Sequence, residues 1–126
     1  MNIPNLFHKK HYFIFVYFYL YLFKKEMIGY VYLFYDGSYY KIGHTNREPK
    51  KRLEEAQIYN PNKLYLINSY KTFNYKKIEF LLHRRYSHKN IRGEWFDLSD
   101  DEVDNFSNKC KELENEIIIM KDNPFY

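Results

Sequence analysis

The sequence predicts an α+β fold, a small three-stranded antiparallel sheet flanked by helices in the order β-β-α-β-α-α. Three observations point to it. Two β-branched and aromatic runs flank Asp36-Gly37, a stretch from near Asn74 carries apolar residues at helical spacing, and Ser99 opens a long amphipathic segment.

The first run is Tyr30-Val31-Tyr32-Leu33-Phe34-Tyr35, and the returning strand reads Tyr39-Tyr40-Lys41-Ile42-Gly43-His44. Asp-Gly between such runs signals a two-residue hairpin turn, which needs positive φ at both central residues. That turn would pair Tyr32 with Lys41 across the strands. Asn46 can cap a helix with Pro49 in its first turn, continuing to Ile58 and broken by Asn60-Pro61-Asn62. Lys63 to Tyr70 reads as a third strand. A helix from near Asn74 puts Tyr75, Ile78, Leu82 and Tyr86 on one face. Ser87 to Trp95 has no regular pattern. The last helix opens with a Ser99-x-x-Glu102 capping box and aligns Val103, Phe106, Cys110, Leu113 and Ile117.

With 126 residues the chain has room for one core. Its single cysteine excludes a disulfide scaffold and a cysteine-based zinc cluster within the chain. Charge is unevenly spread. Residues 1–98 carry 17 Lys and Arg against 8 Asp and Glu, whereas residues 99–126 carry 3 against 8. A basic body with an acidic tail suits a polyanionic partner, although a solvated face beside a charged helix gives the same count. The expected division is an aromatic segment 1–26, a domain 27–98 and an acidic helix 99–126 packed on it.

Tyr12 to Phe23 is an unbroken apolar run between lysine pairs. As a helix it reaches only ~18 Å, well short of the ~30 Å a membrane span needs. Lys24-Lys25-Glu26 rules out a signal cleavage site. The run is then a membrane-interface segment, an aromatic element packed on the domain, or translated sequence upstream of a start at Met27. An intracellular, soluble protein is expected, with membrane association as an alternative.

Tyr30-Val31-Tyr32 and Tyr40-Lys41-Ile42-Gly43, followed by Lys51-Arg52-Leu53, Asn60-Pro61, Glu79 with Leu82-His83, and Gly93-Glu94-Trp95-Phe96, make an ordered series over about residues 28–98. The series resembles the GIY-YIG nuclease superfamily. It is most similar to the branch holding the DNA-binding domain of a phage T5 reading frame and the meiotically up-regulated gene 113 proteins. The resemblance implies a small central antiparallel sheet and, in the nuclease members, single-metal hydrolysis of DNA phosphodiesters with Mg²⁺ or another divalent cation. It places Tyr32 on the tyrosine of the first motif, Lys41 on the second-motif tyrosine, Arg52 on the helix arginine and Glu79 on the metal-binding glutamate. Lysine is common at the second position in that branch. No residue falls securely on the family's C-terminal asparagine, and Asn90 is nearest.

The residues suit that chemistry. Hydrolysis of a phosphodiester needs a base for water, a charge partner for the transition state and help for the leaving oxygen. An ammonium beside the Tyr32 phenol would lower its pKa. Arg52 presents a fork to phosphate at a helix start, where an anion is favoured, and Glu79 is the lone acid on its helix. Each has a plainer reading as well: a surface Tyr–Lys pair, a solvated basic turn, and a helix-surface ion pair with Lys76 or His83. Tyr40, His44, Lys51, His83, Arg84 and Arg92 are candidate nucleic-acid contacts, and the hairpin tyrosines offer faces on which unpaired bases can stack. The expectation is a DNA-binding protein, either an endonuclease or a non-cleaving module of the same fold, with a membrane-attached accessory protein as a further alternative. No second recognition domain is evident, so a protein partner would supply target specificity.

Overall fold

The computed structural model describes residues 12–20, 22 and 28–121. Residues 12–20 and 22 are helical, with nearly all side chains exposed. Among the described residues no helix is long and apolar enough to cross a membrane. All four lysines flanking this run, Lys9, Lys10, Lys24 and Lys25, and a start at Met27, lie outside the described residues.

Strands β1 (Gly29–Tyr35) and β2 (Tyr40–Thr45) form the first hairpin, and α1 (Pro49–Ile58) follows. Next come β3 (Tyr65–Thr72), α2 (Tyr75–Arg85), a 3₁₀ turn (Ser87–Lys89), β4 (Asn90–Arg92) and β5 (Trp95–Phe96). Helices α3 (Asp100–Asp104) and α4 (Phe106–Met120) complete the chain. The α+β class holds, with a wider sheet. Five strands rather than three run antiparallel in the order β3-β1-β2-β5-β4. The additional pair was hidden because β4 and β5 span only three and two residues, too short for any periodicity to register.

The hairpin departs from the expected register by two residues. Tyr35 pairs with Tyr40 and Tyr32 with Gly43, so Asp36–Tyr39 forms a four-residue loop. The Asp36 carboxylate accepts the backbone N–H groups of Ser38 and Tyr39 at 2.8 and 2.7 Å, which stabilises this wider loop. Only Gly37 has positive φ there, at 98°, so the two-residue turn that needs it at both positions does not form. Asn46 is likewise not the cap of α1: the helix begins at Pro49 with Glu48 as its flanking residue and no side-chain cap. The capping box at Ser99 and Glu102 is present, yet the last helix is interrupted at Asn105.

Alternation along β1 and β2 gives the sheet two buried faces. Val31, Leu33 and Ile42 pack with Ile78 and Leu82 of α2, with Phe96, and with Phe106, Cys110 and Leu113 of α4 in one core. On the opposite face Tyr32 and Phe34 are buried, and α1 lies against β1 and β3. That second face carries the site.

Candidate phosphate-binding site

Tyr32 is 1 % exposed and stacks on Phe34, ring centroids 4.0 Å apart. Its ring end lies against the α-carbon of Gly43, the residue opposite it on β2. A Cβ there would meet the Tyr32 hydroxyl and ring carbons at distances no real Cβ shows. The glycine of β2 is therefore a seat for the tyrosine of β1. No local pattern in Tyr40-Lys41-Ile42-Gly43 marks this role, because it depends on the strand register.

Burial pushes the Tyr32 phenol above its ordinary pKa. The Arg52 guanidinium works against that rise, chiefly by its charge, while Glu94 and Glu79 add to it. The expected lowering by Lys41 is thus overturned in direction and in partner. With the register shifted, Phe34 faces Lys41 directly and Tyr32 sits two pairs further along, opposite Gly43. The cation beside the phenol comes from α1.

Lys41 shares the sheet face of Tyr32, and its ammonium lies 3.8 Å from a Glu94 carboxylate oxygen. Lys41 and Arg52 together line a pocket of about 260 Å³ with Tyr59, Asn60 and Trp95. Arg52 also lies 3.8 Å from Glu55, whose carboxylate is chiefly engaged by Arg47. Two cations thus converge on one concavity, each with a carboxylate oxygen no nearer than 3.8 Å, Glu94 by Lys41 and Glu55 by Arg52, an arrangement suited to a phosphate.

Glu79 approaches from the other face, around the edge of β2. That edge is open because β2 pairs with β5 only at Tyr40 and Lys41. Beyond them, the Ile42 N–H donates to the Glu94 carbonyl at 3.1 Å, and His83 Nε2 donates to the Ile42 carbonyl at 2.8 Å. A carbonyl only accepts, so His83 carries its proton on Nε2. Glu79 bonds His44 Nδ1 through Oε2, and its Oε1 is 3.5 Å from His83 Nε2. The carboxylate is only 12 % exposed, held between two imidazoles.

Mg²⁺ takes oxygen ligands, often one or two carboxylates, and keeps several waters. Glu79 fits that donor type as a single carboxylate, provided His44 yields its hold on Oε2. Among the described residues no group of three His, Cys, Asp or Glu is placed to hold a metal.

The other sequence candidates are dispersed. Tyr40 alternates onto the core face, where it is half-buried and stacks on Tyr35 at 4.6 Å, so it does not face the pocket. His44 and His83 belong to the Glu79 cluster. Lys51 is exposed on α1, and Arg84 is exposed on α2 with its guanidinium 5.8 Å from the Phe80 ring. Arg92 is exposed on β4 beside a second, larger cavity. Asn90 donates its amide to the Gly93 and Trp95 carbonyls at 2.8 and 3.2 Å, holding the β4–β5 turn. Gln57, unnoticed in the sequence, donates to the Asn60 and Asn62 carbonyls and accepts the Leu64 N–H at 2.7 Å. Its place just before Asn60-Pro61-Asn62 is the one local signal that could have marked it.

A family model described as the T5orf172 domain matches residues 29–111. The match extends past residue 98 into α4, beyond the stretch that the sequence motifs cover. No curated protein and no solved structure matches the chain.

Proposed function

The chain belongs to the T5orf172 domain family, and on that premise we propose that it binds DNA and hydrolyses a phosphodiester at the Lys41–Arg52 pocket, beside the buried Tyr32, as a GIY-YIG-like endonuclease. The observation that carries this reading is the convergence of Lys41 and Arg52 on one pocket, with the charge of Arg52 also felt by the buried Tyr32 phenol. Arg52 and Lys41 would take the charge that builds on the phosphoryl oxygens. Tyr32, raised in pKa by burial, is a neutral phenol in the free protein and would orient the attacking water by hydrogen bond rather than act as a ready phenolate. Glu79 would hold Mg²⁺, which supplies charge neutralisation at the departing oxygen. His83, anchored on Ile42, and His44 fix the Glu79 carboxylate at the β2 edge.

A second reading, a non-cleaving DNA-binding module, draws support from the same cluster, since both Glu79 oxygens face imidazoles. Supercoiled plasmid separates the two. Nicking that needs Mg²⁺ and disappears in Glu79→Gln supports the enzyme. Binding in chelator with no nicking by the parent chain supports the module. Absence of any DNA binding would reject both.

A further inference from the structure

The larger cavity, about 530 Å³, opens beside the phosphate pocket and shares Lys41, Asn60 and Trp95 with it. Its volume falls within the range of small-molecule and cofactor sites. Three loops wall it, and each is clamped by one side chain. Asp36 holds the β1–β2 loop through two backbone N–H groups, Gln57 holds the Asn60–Asn62 loop, and Asn90 holds the β4–β5 turn. A groove whose walls are already fixed loses little entropy on binding.

Its chemistry differs from that of the pocket beside it. Lys41 and Arg92 are balanced by Asp36 and Glu94, so the groove has no net charge with which to hold phosphates. It offers instead aromatic rings, Tyr39 and Trp95, beside amide and carboxylate groups able to meet a base edge. Trp95 pairs with Lys41 across the sheet and so shares its face.

We propose that this groove takes one unpaired nucleotide of a DNA strand, its base against Trp95 and Tyr39, while the neighbouring phosphate lies between Lys41 and Arg52. The inference rests on the DNA-binding reading and adds a substrate class to it: duplexes carrying an unpaired nucleotide. Fully paired DNA keeps its bases stacked and cannot fill the groove.

Trp95 is the only tryptophan in the chain and lines both the groove and the phosphate pocket, so a difference in its fluorescence between two DNA ligands that share the phosphate contact reports the groove. The full chain is titrated in chelator with a short duplex and with the same duplex carrying a single-nucleotide bulge. The bulged duplex is expected to quench Trp95 and to bind about fivefold tighter or more, given the strength of base–aromatic stacking. Tyr39→Ala is expected to erase most of that preference and leave intact-duplex affinity unchanged. Tyr39 gives only backbone groups to its loop hydrogen bonds, so the loop persists in the variant. Equal affinity and equal fluorescence change for the two duplexes would overturn the groove assignment while leaving DNA binding in place. No binding to either would overturn both.

Discussion

Replacing Gly43 with alanine puts a methyl carbon where the end of the Tyr32 ring lies. The added carbon would stand 2.8 Å from Tyr32 Cε1 and nearer still to Cζ and the hydroxyl. Ordinary contact begins at 3.4 Å, so the ring must retreat by more than half an ångström. It has little room to do so, being 1 % exposed and stacked on a fully buried Phe34. Overpacking of this kind costs about 1–3 kcal/mol. For a domain near this size that lowers Tm by about 4–8 °C per kcal/mol. Gly43 has no positive φ, so the alanine backbone adds no strain of its own. Thermal unfolding by circular dichroism reads the cost. DNA anisotropy should show weaker binding, since the displaced phenol no longer meets Arg52. In a Tyr32→Leu background the same substitution should cost less than about 0.5 kcal/mol, as the double-mutant logic requires. An unchanged Tm in Gly43→Ala, or a cost that persists in Tyr32→Leu, would refute the account of Gly43 as the seat of Tyr32.

Other consequences follow from the same contacts. Arg52→Ala should weaken binding to all DNA sequences and reduce the salt slope by about 1, and loss confined to particular sequences would contradict a phosphate contact. The same substitution removes the cation opposing the rise in Tyr32, so the phenol should titrate still higher by ultraviolet difference spectroscopy. Gln57→Ala leaves the backbone N–H of buried Leu64 without its acceptor. It should cost about 1–3 kcal/mol in urea unfolding. The Cys110 thiol, fully buried, is pushed up to about 12 by burial, with Glu114 adding to the rise. A thiol reagent at pH 8 should therefore label it only as fast as the chain unfolds. Cys110 and Tyr70, the latter also raised to about 12 by burial and by Glu114, hold their protons more tightly folded than unfolded. Stability should stay level to about pH 9 and fall as pH rises toward 12, so a urea midpoint that climbs across that window would contradict the sign.

The strands and helices that can be read from local pattern are those long enough to repeat it. The stripe of Phe106, Cys110 and Leu113 is buried as its spacing implies, and Ile78 and Leu82 meet the core from α2. Breaks in regularity are harder to see, such as Asn105 splitting the last helix. Side-chain competition for backbone groups is also invisible, and at Asp36 it exchanges a tight turn for a four-residue loop.

The amino-acid order by itself determined the α+β class, the positions of the long elements and the residue types from which a phosphate site can be built, because these depend on periodicity and chemistry along the chain. Only the tertiary structure decided which of those residues meet. Strand register moved Tyr32 from Lys41 to Gly43, sheet alternation turned Tyr40 into the core, and α1 brought Arg52 to the phenol. The open edge of β2 let Glu79 reach round from the opposite face. Register and edges depend on hydrogen bonds between segments distant in sequence, and no local pattern encodes which of those bonds will form.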